Sequence, residues 1–530
     1  MDRLTWNTGD LVLLNPKDQT MNITATLPAA FIPSAKQQAI FDFVESGHGS
    51  AVVIAVAGSG KTKTIERCLP LIPETKFVQL FAFNAIIAKE LKSRIELLAV
   101  EFNRPFQRFS AKTFHSVGFG AVCKKLNARA NQFNTDGNKL RKLFERNVSP
   151  EEFEIYSSFV PKLVSYAKGA GVGPLISDNR DAWRDLISHH DLTLDSLDGD
   201  EEQGIDLARE LLNLSNRAAR DDKWIDFDDM LYLPLLWRLS LWQNDFVFID
   251  ESQDTSPVRR AIAKLSLRAG GRLIAVGDPK QAIYGFTGAT HDAIDTIKAE
   301  FNTCELPLTV SYRCSQAVGA LAQSIVPYFE VHEGAVAGAV SHLSLDDALK
   351  QIGPKDAILC RNTKPLVQLA YTLIARGTAC HVLGSEIGKG LVSLVRKMKA
   401  KDIDGLLAKL TAYREREVAK FMAKGEEGRA EGVNDRCDCI EIFVGALDES
   451  ERTIAKLLLK IEGLFSDNTN QLTLSTVHKA KGREWNTVAI LEPELMPSKY
   501  ARQAWQAEQE ENLKYVAFTR AQTHLIFLEG

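Results

Sequence analysis

The stretch Gly49–Thr64, GSAVVIAVAGSGKTKT, constrains the fold more than any other part of the chain. Its small and apolar run reads as a buried strand, and a helical pattern follows the loop. Gly58 and Gly60 permit a tight backbone path that aims several N–H groups at phosphate oxygens. Strand, glycine loop and helix in this order make a phosphate-binding loop, with Ala57, Gly58, Ser59 and Gly60 as its nucleotide-facing backbone. Lys61 would reach the β- and γ-phosphates and the Thr62 hydroxyl would ligate Mg²⁺. Ala55 stands where the G-x-x-x-x-G-K-[ST] pattern has its first glycine.

The chain has 530 residues, 45% hydrophobic and 25% charged, which suits a globular protein of two to four domains. A net charge of −4 gives no global basic field, although a basic groove can hide inside a neutral total. The local clusters KELKSR (89–94), CKKLNARANQ (123–132), RRAIAKLSLRAGGR (259–272) and VRKMKAK (395–401) each read as solvated helix faces when taken alone. The eight cysteines are scattered, which points to reduced thiols in a cytoplasmic compartment. Cys437 and Cys439 lack the second pair that a metal site needs. There is no signal-peptide pattern, and no apolar run reaches the ~18 residues needed to span a membrane. Residues 1–28 read as a peripheral segment, with Met21 as an alternative start.

Strand-like runs recur at 51–57, 77–83, 245–249, 272–276, 356–360, 472–477, 486–491 and 523–528, mostly separated by helical patterns. The expected class is therefore α/β, with two parallel-sheet cores. The first core spans 29–115 and 223–300, and the second 301–385 and 470–530. Two helix-rich stretches, 116–222 and 386–469, read as insertions in them.

The segment FVFIDESQDT (246–255) supplies a metal partner for the loop. Its buried strand delivers Asp250 to the carboxyl end of the sheet, where it would hold Mg²⁺ directly or through water. Glu251 follows at once and suits a general base for an attacking water, which favours hydrolysis over small-molecule phosphorylation. A further strand ends in AVGDPKQAIYGFTGA (275–289), which places Gln281 to sense a γ-phosphate. Tyr284 and Phe286 alternate there with small residues, an arrangement that suits either stacking on a ligand or plugging a domain interface.

Together these motifs resemble superfamily 1 DNA helicases of the UvrD/Rep family, nearest to the shorter branch with F-box helicase-like and phage-type members. The resemblance covers about residues 31–528. It runs through PSAKQQAI (33–40), AVAGSGKT, FAFNAIIAKEL (81–91), TFHS (113–116), DFDDML (226–231), IDESQDT and GDPKQAIYGFTGA. It continues through LTVSYRCSQ (308–316), ILCRNTKPL (358–366), STVHKAKGREW (475–485) and EENLKYVAFTRA (510–521). About ten such segments in family order are far more specific than any one alone.

The resemblance implies two RecA-like P-loop domains, each with a largely helical insertion, and an ATP-dependent, Mg²⁺-requiring DNA helicase running 3′ to 5′ on single strands. It implies that Gln37 reads the adenine edge, with Lys36 and Gln38 as neighbouring registers, and that Tyr312 and Lys63 sandwich the base. Arg313 and Arg520 would touch the γ-phosphate from the second core. Gly482 and Glu484 would lie near the ribose and phosphates. Phe83, Asn84, His115, Tyr284, Phe286 and His478 would lie on the DNA side. The implied partners are single-stranded DNA, single-to-double-strand junctions, and proteins of DNA repair, recombination or replication. The implied place is the cytoplasm, at a bacterial nucleoid or in a phage-infected host.

Three features depart from the family. Lys63 stands where arginine is common, Thr287 replaces the arginine of F-R-G-A, and 386–469 is shorter than the duplex-contacting fourth subdomain of larger members. No nuclease constellation follows the last motif, so a helicase–nuclease fusion is not expected. Two other readings stand beside the helicase: a translocase that strips proteins from single strands, and a DNA-dependent ATPase switch within a larger complex.

Overall fold

The computed structural model describes residues 31–529 except 83, 104–105, 191, 193, 195–198, 284–291, 424–426, 466–470, 500 and 502–503. Phe83, Tyr284, Phe286, Thr287 and the segment 1–28 therefore lie outside the described residues.

Along the first part of the chain come β1 (Ala51–Ala55), β2 (Val78–Ala82), β3 (Phe109–Thr113), β4 (Asn134–Thr135), β5 (Trp224–Ile225), β6 (Asn244–Ile249), β7 (Leu267–Gly277) and β8 (Cys304–Leu308). The second part holds β9 (Val310–Ser311), β10 (Glu330–Val331), β11 (Ala339–Leu343), β12 (Ala357–Cys360), β13 (Cys380–Val382), β14 (Leu472–Thr476), β15 (Trp485–Ile490) and β16 (Ala521–Leu528). They build two six-stranded sheets, in the orders β3-β2-β6-β7-β1-β8 and β11-β16-β15-β12-β14-β13. Every pairing in both is parallel. The protein is thus an α/β molecule with two parallel-sheet units.

Alternation along the strands explains why both faces of the first sheet are covered. Val53, Leu80, Phe248 and Val276 point to one face, under Ile40, Ile65 and Leu91 of the flanking helices. Val52, Phe81, Val247 and Ala275 point to the other, under Phe114, Ile262 and Ile294. In the second sheet, Leu359, Val488 and Leu525 share an apolar cluster with Val56, Ala57 and Ile283. The core of the second unit therefore reaches across to the phosphate loop of the first.

β8 corrects the expected boundary. Residues from 301 onward were expected in the second core, yet 304–308 pair with β1 in the first sheet. Only Leu308 of its CELPL sequence is buried. A half-exposed edge strand has no apolar signature, and it is the ladder with β1 that holds it there.

The helices between β3 and β6 have an apolar cluster of their own, including Phe144, Phe159, Leu163, Trp183 and Ile205. Beneath it lies a buried charge network. Lys139 Nζ donates to Asp229 Oδ2 (2.5 Å) and Lys168 Nζ to Asp226 Oδ2 (2.6 Å), and Lys168 also pairs with Asp229 Oδ1 (2.7 Å). Both lysines are fully buried. Burial alone would lower the Lys168 pKa, but Asp229 and Asp226 hold it above the usual lysine value. The helices Ile403–Ala423, Glu427–Gly445 and Ile454–Leu464 are different, because their apolar residues merge with the face of the second sheet into one cluster.

Candidate nucleotide and DNA site

The phosphate loop runs from β1 into the helix Lys61–Cys68. Gly58 and Gly60 have φ of 73° and 78°, where a side chain is strained. At Gly58 space also forbids one: a Cβ would lie 2.4 Å from Arg313 Cβ and 2.8 Å from Ser311 Oγ. The second unit therefore closes on the loop at this point, and the Tyr312 amide donates to the Gly58 carbonyl (2.9 Å).

β6 carries Asp250 and Glu251 to the same end of the sheet. Thr62 Oγ1 donates to Asp250 Oδ2 (3.2 Å), and Lys61 Nζ donates to Glu251 Oε2 (2.8 Å). Glu251 has φ 51°, a left-handed conformation that costs a non-glycine residue about 1–2 kcal/mol. Gln253 Nε2 supports the same Glu251 oxygen at 2.6 Å. The two carboxylates are driven apart electrostatically. Burial and then the neighbouring Glu251 push Asp250 up to about 6. Burial would raise Glu251 as well, but Lys61 and then Lys481 bring it down to about 2. Glu251 is thus a carboxylate at neutral pH, with an oxygen engaged by donors that a nucleotide would draw on. For Lys61, burial opposes the charge, yet Glu251, Asp278 and Asp250 together raise its pKa.

A buried hydroxyl–carboxylate pair beside the phosphate loop, with the Asp250 carboxyl held above the usual range by burial, fits a hard divalent ion. Thr62 and Asp250 would hold Mg²⁺, which would supply charge neutralisation to the phosphates.

Burial and partners separate the three neighbouring registers. Gln37 is buried, accepts from Ser34 N (3.0 Å) and donates to Thr64 Oγ1 (3.2 Å) beside the loop. Lys36 instead bridges to Glu330 and Thr309, and Gln38 pairs with Asp42 at the surface. Tyr312 keeps 45% of its surface exposed and leans on His332, with ring centroids 4.9 Å apart. A cavity of about 770 Å³ is lined by Ser34, Tyr312, Gln316 and His332, but not by Gln37 or Lys63. Lys63 pairs with Glu66 at 3.5 Å.

The arginines of the second unit are placed differently from each other. Arg313 lies against the loop and pairs with Glu484, and its Nη1 also donates to Thr519 O (3.4 Å). Arg520 is 1% exposed and donates to Val516 O (2.9 Å), Arg483 O (2.9 Å) and Thr519 Oγ1 (3.2 Å). Its guanidinium is thus held within its own unit. Glu484 also accepts from Gln522 (3.1 Å), and Gly482 has φ 85° with open space around it.

Of the expected DNA-side residues, Asn84 caps the helix Ala85–Glu101 by accepting from Ile87 N (2.9 Å). His115 is half-buried, and burial followed by Arg259 lowers it to about 4. His478 faces Arg361, Glu510, Lys479 and Lys481; burial first, then Arg361, lowers it to about 4. Both imidazoles are therefore neutral at physiological pH.

Sequence reasoning missed the residues that join the two units. Lys481 Nζ donates to Asp254 Oδ2 (2.8 Å) and to Gln281 O (2.6 Å). Asn512 Nδ2 donates to Ala282 O (3.2 Å). The Tyr515 hydroxyl accepts from Ala57 N (2.8 Å) and donates to Asp278 Oδ2 (3.1 Å). Gln281 itself donates to Asp278 Oδ2 (2.6 Å). All of these lie inside quoted motifs, so polar residues next to buried strands were the signal available. None of their partners could be read from spacing.

Comparison with known proteins finds family models and relatives over most of the chain. A family model described as the UvrD/REP helicase N-terminal domain matches residues 35–302, and one described as the UvrD-like helicase C-terminal domain matches 397–529. The chain is 25% identical over 520 residues to the F-box DNA helicase 1 of Gallus gallus, covering 90% of this chain and 47% of that protein. It is 24% identical over 562 residues to the ATP-dependent DNA helicase UvrD2 of Mycobacterium tuberculosis, covering 90% and 76%. It is 25% identical over 304 residues to the ATP-dependent DNA helicase srs2 of Schizosaccharomyces pombe, covering 53% and 34%. The chain spans less than half the length of the first relatives it matches. Among the described residues no helix is long and apolar enough to cross a membrane.

Proposed function

The chain belongs to the UvrD/REP helicase family, and from that premise we propose that it is an ATP-driven motor that steps 3′ to 5′ along single-stranded DNA and unwinds duplex ahead of it. The observation that carries this reading is the set Lys61, Thr62, Asp250 and Glu251, gathered on one sheet end and faced by Arg313 from the other unit. Glu251 orients the attacking water as a carboxylate. Arg313 and Arg520 stabilise the transferring phosphoryl group once the units close around ATP and Mg²⁺. Gln37, Tyr312 and Lys63 hold the adenine, and Gly482 and Glu484 lie by the ribose and phosphates. Phe83, Asn84, His115, Tyr284, Phe286 and His478 line the DNA path, and stacking on its aromatic rings is indifferent to base identity. The two RecA-like units divide as 29–115 with 223–300 and 301–385 with 470–530, except that β8 joins the first.

One observation favours a second reading, a translocase that strips proteins from single strands and unwinds poorly. Among the described residues, the helices of 386–469 share one apolar cluster with the second core.

The test is the steady-state ATPase rate against length of single-stranded DNA, with Lys61→Ala as control. A rate that rises with length and saturates supports stepping. A rate stimulated by DNA but flat with length overturns the motor in favour of a switch. Unwinding of 3′- and 5′-tailed duplexes, compared with displacement of a bound protein, then separates helicase from stripping translocase and fixes polarity.

A further inference from the structure

We propose that the hydroxyl of Tyr515 is a positioning group for hydrolysis, one that lets Gln281 leave Asp278 and turn to the nucleotide. The proposal rests on the reading of Gln281 as the γ-phosphate contact.

Tyr515 comes from the second unit, on the helix Ala504–Phe518, yet both partners of its hydroxyl belong to the first. One is the Ala57 amide of the phosphate loop (2.8 Å), and the other is Asp278 Oδ2 (3.1 Å). Asp278 is completely buried. Its Oδ1 is satisfied by the Lys280 amide (3.0 Å), and its Oδ2 is shared by Gln281 Nε2 (2.6 Å) and Tyr515.

The sharing is the informative detail. The Gln281 amide nitrogen carries two hydrogens, and the one aimed at Asp278 is not available to a phosphate. Turning the whole amide to the nucleotide withdraws it from a buried carboxylate oxygen, and leaving such an acceptor bare is costly. The Tyr515 hydroxyl covers that same oxygen, so the exchange leaves the carboxylate satisfied. Because the hydroxyl also holds the phosphate loop through Ala57, the exchange is tied to the position of the loop. Lys481 on Gln281 O and Asn512 on Ala282 O keep the backbone of this segment in register with the second unit. Only the Gln281 side chain needs to move.

Tyr515→Phe keeps the ring and removes the hydroxyl. The Asp278 oxygen then depends on Gln281 for its side-chain donor, and Gln281 stays where it is. The expected result is a loss of about tenfold in DNA-stimulated kcat, the equivalent of one hydrogen bond, with KM for ATP within about twofold. The control is the same substitution in a Gln281→Ala chain, where there is no amide left to release and the substitution should cost nothing further. A Tyr515→Phe chain with unchanged kcat overturns the proposal. So does an equal fold-loss in the Gln281→Ala background, which would mark a general packing role. A Tyr515→Phe chain that loses its cooperative melt also overturns it, by making the hydroxyl a requirement of the fold. A wild-type chain lacking DNA-stimulated ATPase would instead defeat the helicase reading, and that measurement comes first.

Discussion

The two halves of the molecule place their buried charges differently. In the first, charge meets charge: Lys61 with Glu251, and Lys139 and Lys168 with Asp226 and Asp229. In the second, Arg361 also meets Glu510, but the two arginines expected at the γ-phosphate are held otherwise: Arg520 against the carbonyls of Val516 and Arg483, and Arg313 on the partly exposed Glu484. The first half is preassembled around the phosphate site. The second holds these arginines on partners of its own, which under the proposed function they would exchange for the nucleotide's phosphates. On the proposed reading, such a division would make hydrolysis conditional on movement of the second half, as a motor requires of its ATP site.

The largest effect should come from the withheld side. Arg313→Ala should lower DNA-stimulated kcat by about 10³-fold while KM for ATP changes little, as removal of an arginine acting in trans does. Rapid-quench turnover measures it. An unaffected kcat would mean that Arg313 stays on Glu484 throughout, and the contrast between halves would collapse.

Next comes the structural network of the first half. Lys168→Met leaves Asp226 and Asp229 short of a cation in a buried site, and should cost about 3–5 kcal/mol. Denaturant unfolding followed by hydrogen exchange should place the loss in the helices between β3 and β6. If the protection of the helices in 403–464 falls equally, the two insertions are not independent, despite their separate apolar clusters.

These predictions draw on parts of the molecule that differ in how legible they were. The eight strands read from sequence are the eight interior strands of the two sheets, while the missed β3, β8, β11 and β13 are the four edges. An interior parallel strand is covered on both faces and reads as an apolar run, as in β1 and β12. An edge strand carries half that demand, and β8 tolerates Glu305 and Pro307. The phosphate loop, Asp250 and Glu251 were legible because strand, loop and acid are local in sequence. Tyr515 on Ala57 and Lys481 on Asp254 were not, because a contact across 458 or 227 positions has no periodicity to betray it. Asn84 illustrates the converse, since a residue in a family motif also serves as an ordinary helix cap.

A smaller effect probes the preassembled carboxylates. The Asp250 pKa is raised by burial and then by Glu251 to about 6 in the folded protein, against 3.8 for an ordinary aspartate. The folded state therefore binds this proton more tightly than the unfolded one. Its contribution to stability is fully present below about pH 3.8 and is lost as pH rises through 6. Glu251 has the opposite sign, since a pKa of about 2 contributes stability above 4.5 that is lost only as pH falls toward 2. Between pH 5 and 7 His115 and His478 also change the stability, with the opposite sign, so the Asp250 share is read from the difference between wild type and a variant at that position. Without Mg²⁺, Asp250→Asn should exceed wild type in stability at pH 7 by on the order of 2 kcal/mol, and the gap should narrow toward pH 5. Added Mg²⁺ should close the gap at pH 7 by stabilising wild type alone. A gap indifferent to pH would mean that Asp250 is already ionised comfortably in the folded protein.

The smallest effect sharpens the idea of withheld cations. Glu484 is 43% exposed in its side chain and Arg313 19%, so their pair is screened and should contribute only about 0.2–1 kcal/mol. Glu484→Gln weakens the restraint without removing the guanidinium or the Gln522 contact. If Arg313 is held back by this pair, the ATPase rate without DNA should rise about twofold to fivefold, and the fold-stimulation by DNA should shrink by the same factor. The combined Glu484→Gln, Arg313→Ala chain should then behave as Arg313→Ala alone, because the restraint acts through the arginine. A fall in the DNA-free rate would instead give Glu484 a direct part at the ribose and phosphates, where the family resemblance places it, and Arg313 would then be positioned by Glu484 for hydrolysis.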